Sequence, residues 1–112
     1  MKIVRLEAKK FSEKILSMKG ISKKTVEEHL KLYQGYVNKY NEIQERLSDL
    51  SEEDLGKANQ VFSTIRELKV ELSFAWGGVV NHEIYFGHLG GKGKLSAGTL
   101  LTQIEKDFGS FE

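Results

Sequence analysis

The chain has 112 residues, of which 39% are hydrophobic and 29% charged, an ordinary globular composition that argues against disorder. Lys and Arg number 17 against 16 Asp and Glu, a net charge of +1, so there is no electrostatic case for nucleic acid or an anionic membrane as partner. Cysteine is absent, which removes disulfides, thiolate metal sites and thiol nucleophiles together, and no apolar run approaches the roughly 20 residues of a membrane span.

The first residues, Met1 to Lys10, contain no apolar core of signal-peptide length, so a cytoplasmic location is expected. Residues 1–20 show no clean period and read as an N-terminal arm, with a short helical turn from Phe11 to Met18. Ser22 is placed to cap a long helix over about 22–50, because its hydroxyl can accept from a free amide of the first turn. Val26, Leu30, Tyr33, Val37, Tyr40, Ile43, Leu47 and Leu50 recur at spacings of three or four, one buried stripe on a helix about 42 Å long.

Ser51 followed by Glu52, Glu53 and Asp54 reads as a cap with acidic residues at the positive end of the helix dipole. A turn at Gly56 is expected to lead into a second long helix over about 57–89. Its stripe runs through Ala58, Val61/Phe62, Ile65, Leu68, Leu72, Ala75/Trp76, Val79, His82, Phe86 and Leu89. Gly77 and Gly78 inside it each cost about 1 kcal/mol relative to Ala, which implies that something approaches the backbone there. Residues 90–95 form a Gly-rich linker, and a short third helix is expected over about 96–108, ending at Gly109. The fold class is therefore all-α: a long antiparallel helical hairpin plus a short third helix. Such a hairpin leaves wide apolar faces uncovered, so a homo-oligomer or further chain is expected to cover them.

Three histidines carry the candidate chemistry. His29 lies near the start of the first helix and His82 near the end of the second, which an antiparallel hairpin brings side by side. Imidazole suits Fe, Mn, Cu, Zn and Ni alike, and the same two residues could equally be hydrogen-bonded core histidines. His29, Tyr33, Tyr36 and Tyr40 share one helical face, either a metal ligand flanked by phenols or an aromatic core stripe. His88 points away from His82 and reads as solvent-facing or linker-associated. The Gly90–Lys94 stretch lacks the spacing of a phosphate loop and follows a helix, so it reads as a linker.

Around these residues the sequence resembles a known family. Ile21-Ser22-Lys23-Lys24-Thr25-Val26-Glu27-Glu28-His29 is similar to the segment IS-x-x-T-[IM]-E-x-H of iron/manganese superoxide dismutases, whose His is the first metal ligand. Tyr36-Val37-Asn38-Lys39 resembles the family's YVNxLN, which carries the gateway phenol. Phe74-Ala75-Trp76-Gly77-Gly78-Val79-Val80-Asn81-His82 resembles FNxGGxxNH, with the second ligand last, and Tyr85 and Phe86 match the aromatics that follow. Asp107-Phe108-Gly109-Ser110-Phe111 resembles the DFGSF of the first helix of the family's C-terminal domain.

The resemblance implies that residues 21–89 are the N-terminal helical domain and that 96–112 begin a C-terminal domain. It implies a redox metal, Mn or Fe, held by His29 and His82, with superoxide as substrate and Tyr36 and Tyr33 as the catalytic phenols. Gly78, four residues before the second ligand, tilts the choice toward manganese, because it leaves room for a Gln from the C-terminal domain. The third and fourth ligands of the family lie in a D-x-x-x-H motif of an α/β domain, which nothing in this chain matches. The spacing of first ligand to gateway Tyr is eight in the family and seven in this chain. Tyr33 stands nearest to the supporting His that follows the first ligand in the family. Two ligands of four imply little or no dismutase activity in the chain alone. The competing expectation is a non-catalytic relative that keeps the hairpin as an association module.

Overall fold

The computed structural model describes residues 3–111 and, among them, contains helices and no strand. The parts of the expected arm and C-terminal segment that fall on residues 1, 2 and 112 lie outside the described residues. The helices are α1 (Lys23–Ser48), α2 (Glu52–Gly56), α3 (Thr64–Gly87) and α4 (Thr99–Phe108), preceded by a 3₁₀ turn over Glu13–Ser17.

α1 begins where expected. Ser22 has extended backbone and its Oγ accepts from the Thr25 amide at 3.1 Å. Val26, Tyr33, Val37 and Ile43 are buried along one side, as the three-and-four spacing requires. The helix ends at Ser48, so Leu50 lies beyond it and packs from the connection.

The second half of the hairpin differs from the expectation. The cap at Ser51 is real: Ser51 and Asp54 form a reciprocal capping box, and those bonds hold the Asp54 carboxyl below the usual range. It starts only the five-residue α2, however, and the long helix α3 begins at Thr64 rather than near 57. The intervening side chains satisfy their own backbone. Asn59 Oδ1 accepts from the Val61 amide at 2.7 Å, and Ser63 Oγ donates to the Asn59 carbonyl at 3.1 Å while accepting from Arg66 N at 3.3 Å. Asn and Ser used this way compete with helix, so the true cap is Ser63, itself buried. Ala58, Val61 and Phe62 therefore lie outside the helical stripe, with Val61 80% and Phe62 79% exposed. Of the two stripe candidates at 75/76, Ala75 faces the core and Trp76 lies outside it. α3 ends at Gly87, with Leu89 packed from the following turn.

α1 and α3 pack as the antiparallel hairpin, and the arm lies along α1. Asn41 reads the Leu6 backbone with both ends of its amide, at 2.8 and 2.9 Å, Arg5 pairs with Glu45, and the Lys9 amide donates to the Tyr33 hydroxyl at 2.9 Å. From residue 6 to 9 the extended arm covers about 10 Å, close to the about 12 Å between residues 41 and 33 of a helix, so the two run antiparallel in register. α4 starts at Thr99, later than the expected 96, and buries no residue. The radius of gyration is 20.4 Å, against about 13 Å for a compact chain of this length.

Candidate metal centre

The hairpin brings the two candidate ligands together. His29 sits in the second turn of α1 and His82 near the C-terminal end of α3, with ring centroids 4.9 Å apart and planes inclined at 77°. Metal–nitrogen bonds of about 2.1 Å place the ring centres of two imidazoles on one ion at roughly 4.6–5.6 Å for N–metal–N angles of about 90–120°. The pair therefore fits two ligands of a shared ion. His82 Nδ1 lies 2.6 Å from the Gly78 carbonyl, which can only accept, so Nδ1 carries the proton and Nε2 keeps its lone pair outward. His29 is held below its ordinary pKa, first by burial and then by repulsion from His82, which favours the neutral, ligating form.

Aromatic rings frame the pair. Tyr85 and Phe86 each lie 4.9 Å from the His29 ring, and Tyr36 lies 5.1 Å from His82. Gly78 explains that last contact: a Cβ there would run into the Tyr36 ring, whereas one at Gly77 would meet nothing within 4 Å. The close approach expected over the glycines is thus made by Tyr36, within the chain, and concerns Gly78 alone. The helical face of tyrosines divides into three environments. Tyr33 is buried, with its hydroxyl donating to Glu83 Oε1 at 2.9 Å and its ring 6.3 Å from His82. Burial is the main cause of its raised pKa. Tyr36 borders the histidines, and Tyr40 packs on Trp76 at 5.6 Å. His88 is exposed at the end of α3.

Among the described residues no group of three or more His, Cys, Asp or Glu side chains converges as a metal site would require. Residues 18–90 match the family described as iron/manganese superoxide dismutases, alpha-hairpin domain. The chain belongs to this family. The superoxide dismutase [Fe] of Aquifex aeolicus is 50% identical over 99 residues, covering 86% of this chain and 46% of that protein. The mitochondrial superoxide dismutase [Mn] of Charybdis feriata is 38% identical over 84 residues, covering 75% of this chain and 35% of that protein. A superoxide dismutase [Fe] of Cupriavidus metallidurans is 40% identical over 94 residues, 83% of this chain and 45% of its own length. The chain spans less than half the length of these curated relatives, and the match falls on the helical hairpin of the family.

Glu83 and Lys9 were not legible as site residues from the sequence. Glu83 directly follows His82, but its partners lie on α1 and on the arm, and no local spacing announces a contact between residues 9 and 83. No helix among the described residues is long and apolar enough to cross a membrane.

Proposed function

We propose that this chain supplies the N-terminal half of an iron- or manganese-dependent superoxide dismutase site, with His29 and His82 as two of its metal ligands. The observation that carries the reading is the His29–His82 pair itself, 4.9 Å apart with His82 Nδ1 committed to the Gly78 carbonyl, inside a hairpin of this family. His29 and His82 would hold the metal, which would supply the one-electron redox chemistry by which two superoxide anions and two protons give dioxygen and hydrogen peroxide.

The chain's own residues do the rest. The Gly78 carbonyl fixes the His82 tautomer, and the rings of Phe86 and Tyr85 exclude water from one side of His29. We assign Tyr36, whose ring sits over Gly78 beside His82, as the phenol that passes protons toward reduced substrate. Tyr33 is the second phenol at the site, its hydroxyl held between the Lys9 amide and Glu83. Tyr36 also fills the space over Gly78, so Gly78 favours manganese only if Tyr36 moves aside, and the site is assigned to iron or manganese without preference.

The remaining ligands come from a C-terminal α/β domain. That domain or a second copy would cover the face on which Leu32 and Phe74 are 62% and 68% exposed. Fusing residues 1–112 to the remainder of the Aquifex aeolicus relative tests the assignment. The fusion should retain about one Fe or Mn per chain and turn over superoxide, and His29→Ala or His82→Ala should remove both properties. Metal uptake and turnover that survive both substitutions would refute the ligand assignment. A metal-free fusion whose oligomer forms normally would favour the association-module reading instead.

A further inference from the structure

Tyr33 presents an anomaly of chemistry. It is 2% exposed within the cluster of Ile15, Val26, Val37, Val79 and Phe86, where a phenylalanine would pack as well. Its hydroxyl nevertheless has both partners it can use: it accepts from the Lys9 amide at 2.9 Å and donates to Glu83 Oε1 at 2.9 Å. The other carboxylate oxygen of Glu83 meets Lys9 Nζ at 2.6 Å. These contacts close a ring that joins the arm, α1 and α3. An ion pair with an exposed lysine contributes little stability by itself. A buried hydroxyl that must find its partners instead selects one arrangement of the elements that carry them.

The arrangement selected is that of the histidines. Glu83 is the residue after His82, and Tyr33 lies one helical turn beyond His29. The Tyr33 ring is 6.3 Å from His82 and nearly parallel to it at 23°. From the arm, Phe11 packs 5.6 Å from Tyr33 and 5.1 Å from Phe86, whose ring lies against His29. A turn of α3 about its axis, or a slide along α1, would break the Tyr33–Glu83 bond while leaving aliphatic contacts free to adjust.

We propose that the N-terminal arm is a latch that sets the relative position of His29 and His82, with Glu83 and Lys9 as positioning residues acting through Tyr33. The proposal rests on reading the two histidines as ligands, but the latch has a signature that needs no metal. In the metal-free chain, nitrogen-15 spectra of the histidine rings should show one set of His82 signals with Nδ1 protonated, and a cross-relaxation peak between the two rings. Glu83→Leu, which leaves the Tyr33 hydroxyl without its acceptor, and Tyr33→Phe should double or broaden the His82 signals and weaken that peak at least twofold. Glu83→Gln keeps an acceptor oxygen and Lys9→Met keeps the backbone amide, so both should shift the signals less, while the methyl signals of Ile43 and Leu68 at the other end of the hairpin stay in place. Should Tyr33→Phe fail to fold, Glu83→Leu decides the matter. Ring signals in Glu83→Leu identical to those of the parent would overturn the proposal.

A Cu²⁺ titration of the same variants separates this outcome from failure of the ligand reading, since Cu²⁺ binds nitrogen sites tightly. Loss of the latch should weaken Cu²⁺ about tenfold, the low end for partners that orient a ligand. Cu²⁺ affinity unchanged in His29→Ala and His82→Ala would reject the ligand reading, while the ring signals would still judge the latch.

Discussion

The two ends of the hairpin are held by different means. At the histidine end the core is aromatic and carries polar contacts: Tyr33, Phe86 and Phe11 pack against Ile15, Val26, Val37 and Val79, and the Tyr33–Glu83 bond joins α1 to α3 with Lys9 of the arm beside it. At the other end Ile43, Leu68 and Ala75 make a smaller aliphatic core with Tyr40, Leu47, Leu50 and Leu72 around it. There Lys39, Glu42, Arg46, Asp49, Glu67 and Glu71 line an open cleft of about 500 Å³, and Val61 and Phe62 stand out from the connection. Aliphatic packing holds two helices together but tolerates small shifts, whereas directional bonds to buried groups do not. The end that carries the His29–His82 pair is the end where the Tyr33–Glu83 hydrogen bond joins α1 to α3.

Truncation should break the comparison most sharply. Phe86→Ala is expected to cost about 3–5 kcal/mol and Leu68→Ala about 2–5 kcal/mol in denaturant unfolding. Only Phe86→Ala should also disturb the His29–His82 ring contact, because Phe86 packs on His29 and Leu68 lies in the other cluster. Equal disturbance by both would mean that the two ends are one unit. The adjacent glycines provide the next contrast. Gly78→Ala should destabilise by about 1–3 kcal/mol through the clash with Tyr36, whereas Gly77→Ala meets open space and should stabilise by up to about 1 kcal/mol. Thermal melts of the two variants moving in the same direction would contradict the placement of Tyr36. Ser63→Ala removes the buried cap of α3 and should cost about 1 kcal/mol, with little change at the histidines.

The smallest effect is that of pH. Burial lowers the His29 pKa in the folded chain, so the unfolded chain takes up its proton first, near the ordinary value of about 6.5. Stability should therefore decline as pH falls through about 6.5 and level off below the folded pKa, with no contribution from His29 above that window. Denaturant midpoints between pH 5 and pH 8 check this, and His29→Gln should flatten that part of the slope.

Much of this was legible in the sequence because it is local or periodic. Ser22, the spacing from Val26 to Ile43 and the motif ending at His82 each announce themselves within a few residues, and an antiparallel hairpin then places His29 beside His82 without further information. The start of α3 was hidden because Asn59 and Ser63 satisfy the backbone in a way that the apolar pattern of Ala58, Val61 and Phe62 does not report. The partner of Gly78 was missed for another reason: the sequence shows that a side chain must be absent there, but not which ring fills the gap. Lys9, Glu83 and Asn41 were invisible because their contacts join an extended arm to helices far along the chain, and no spacing rule covers such pairs.

The central claim is that this chain holds half of a metal site. Its most direct test is the metal content and superoxide turnover of the 112-residue chain alone, after anaerobic loading with Fe²⁺ or Mn²⁺ and desalting. Two neutral imidazoles hold such ions weakly, so well under one metal per chain and negligible turnover are expected. One tightly retained Fe or Mn per chain with sustained dismutation would contradict it.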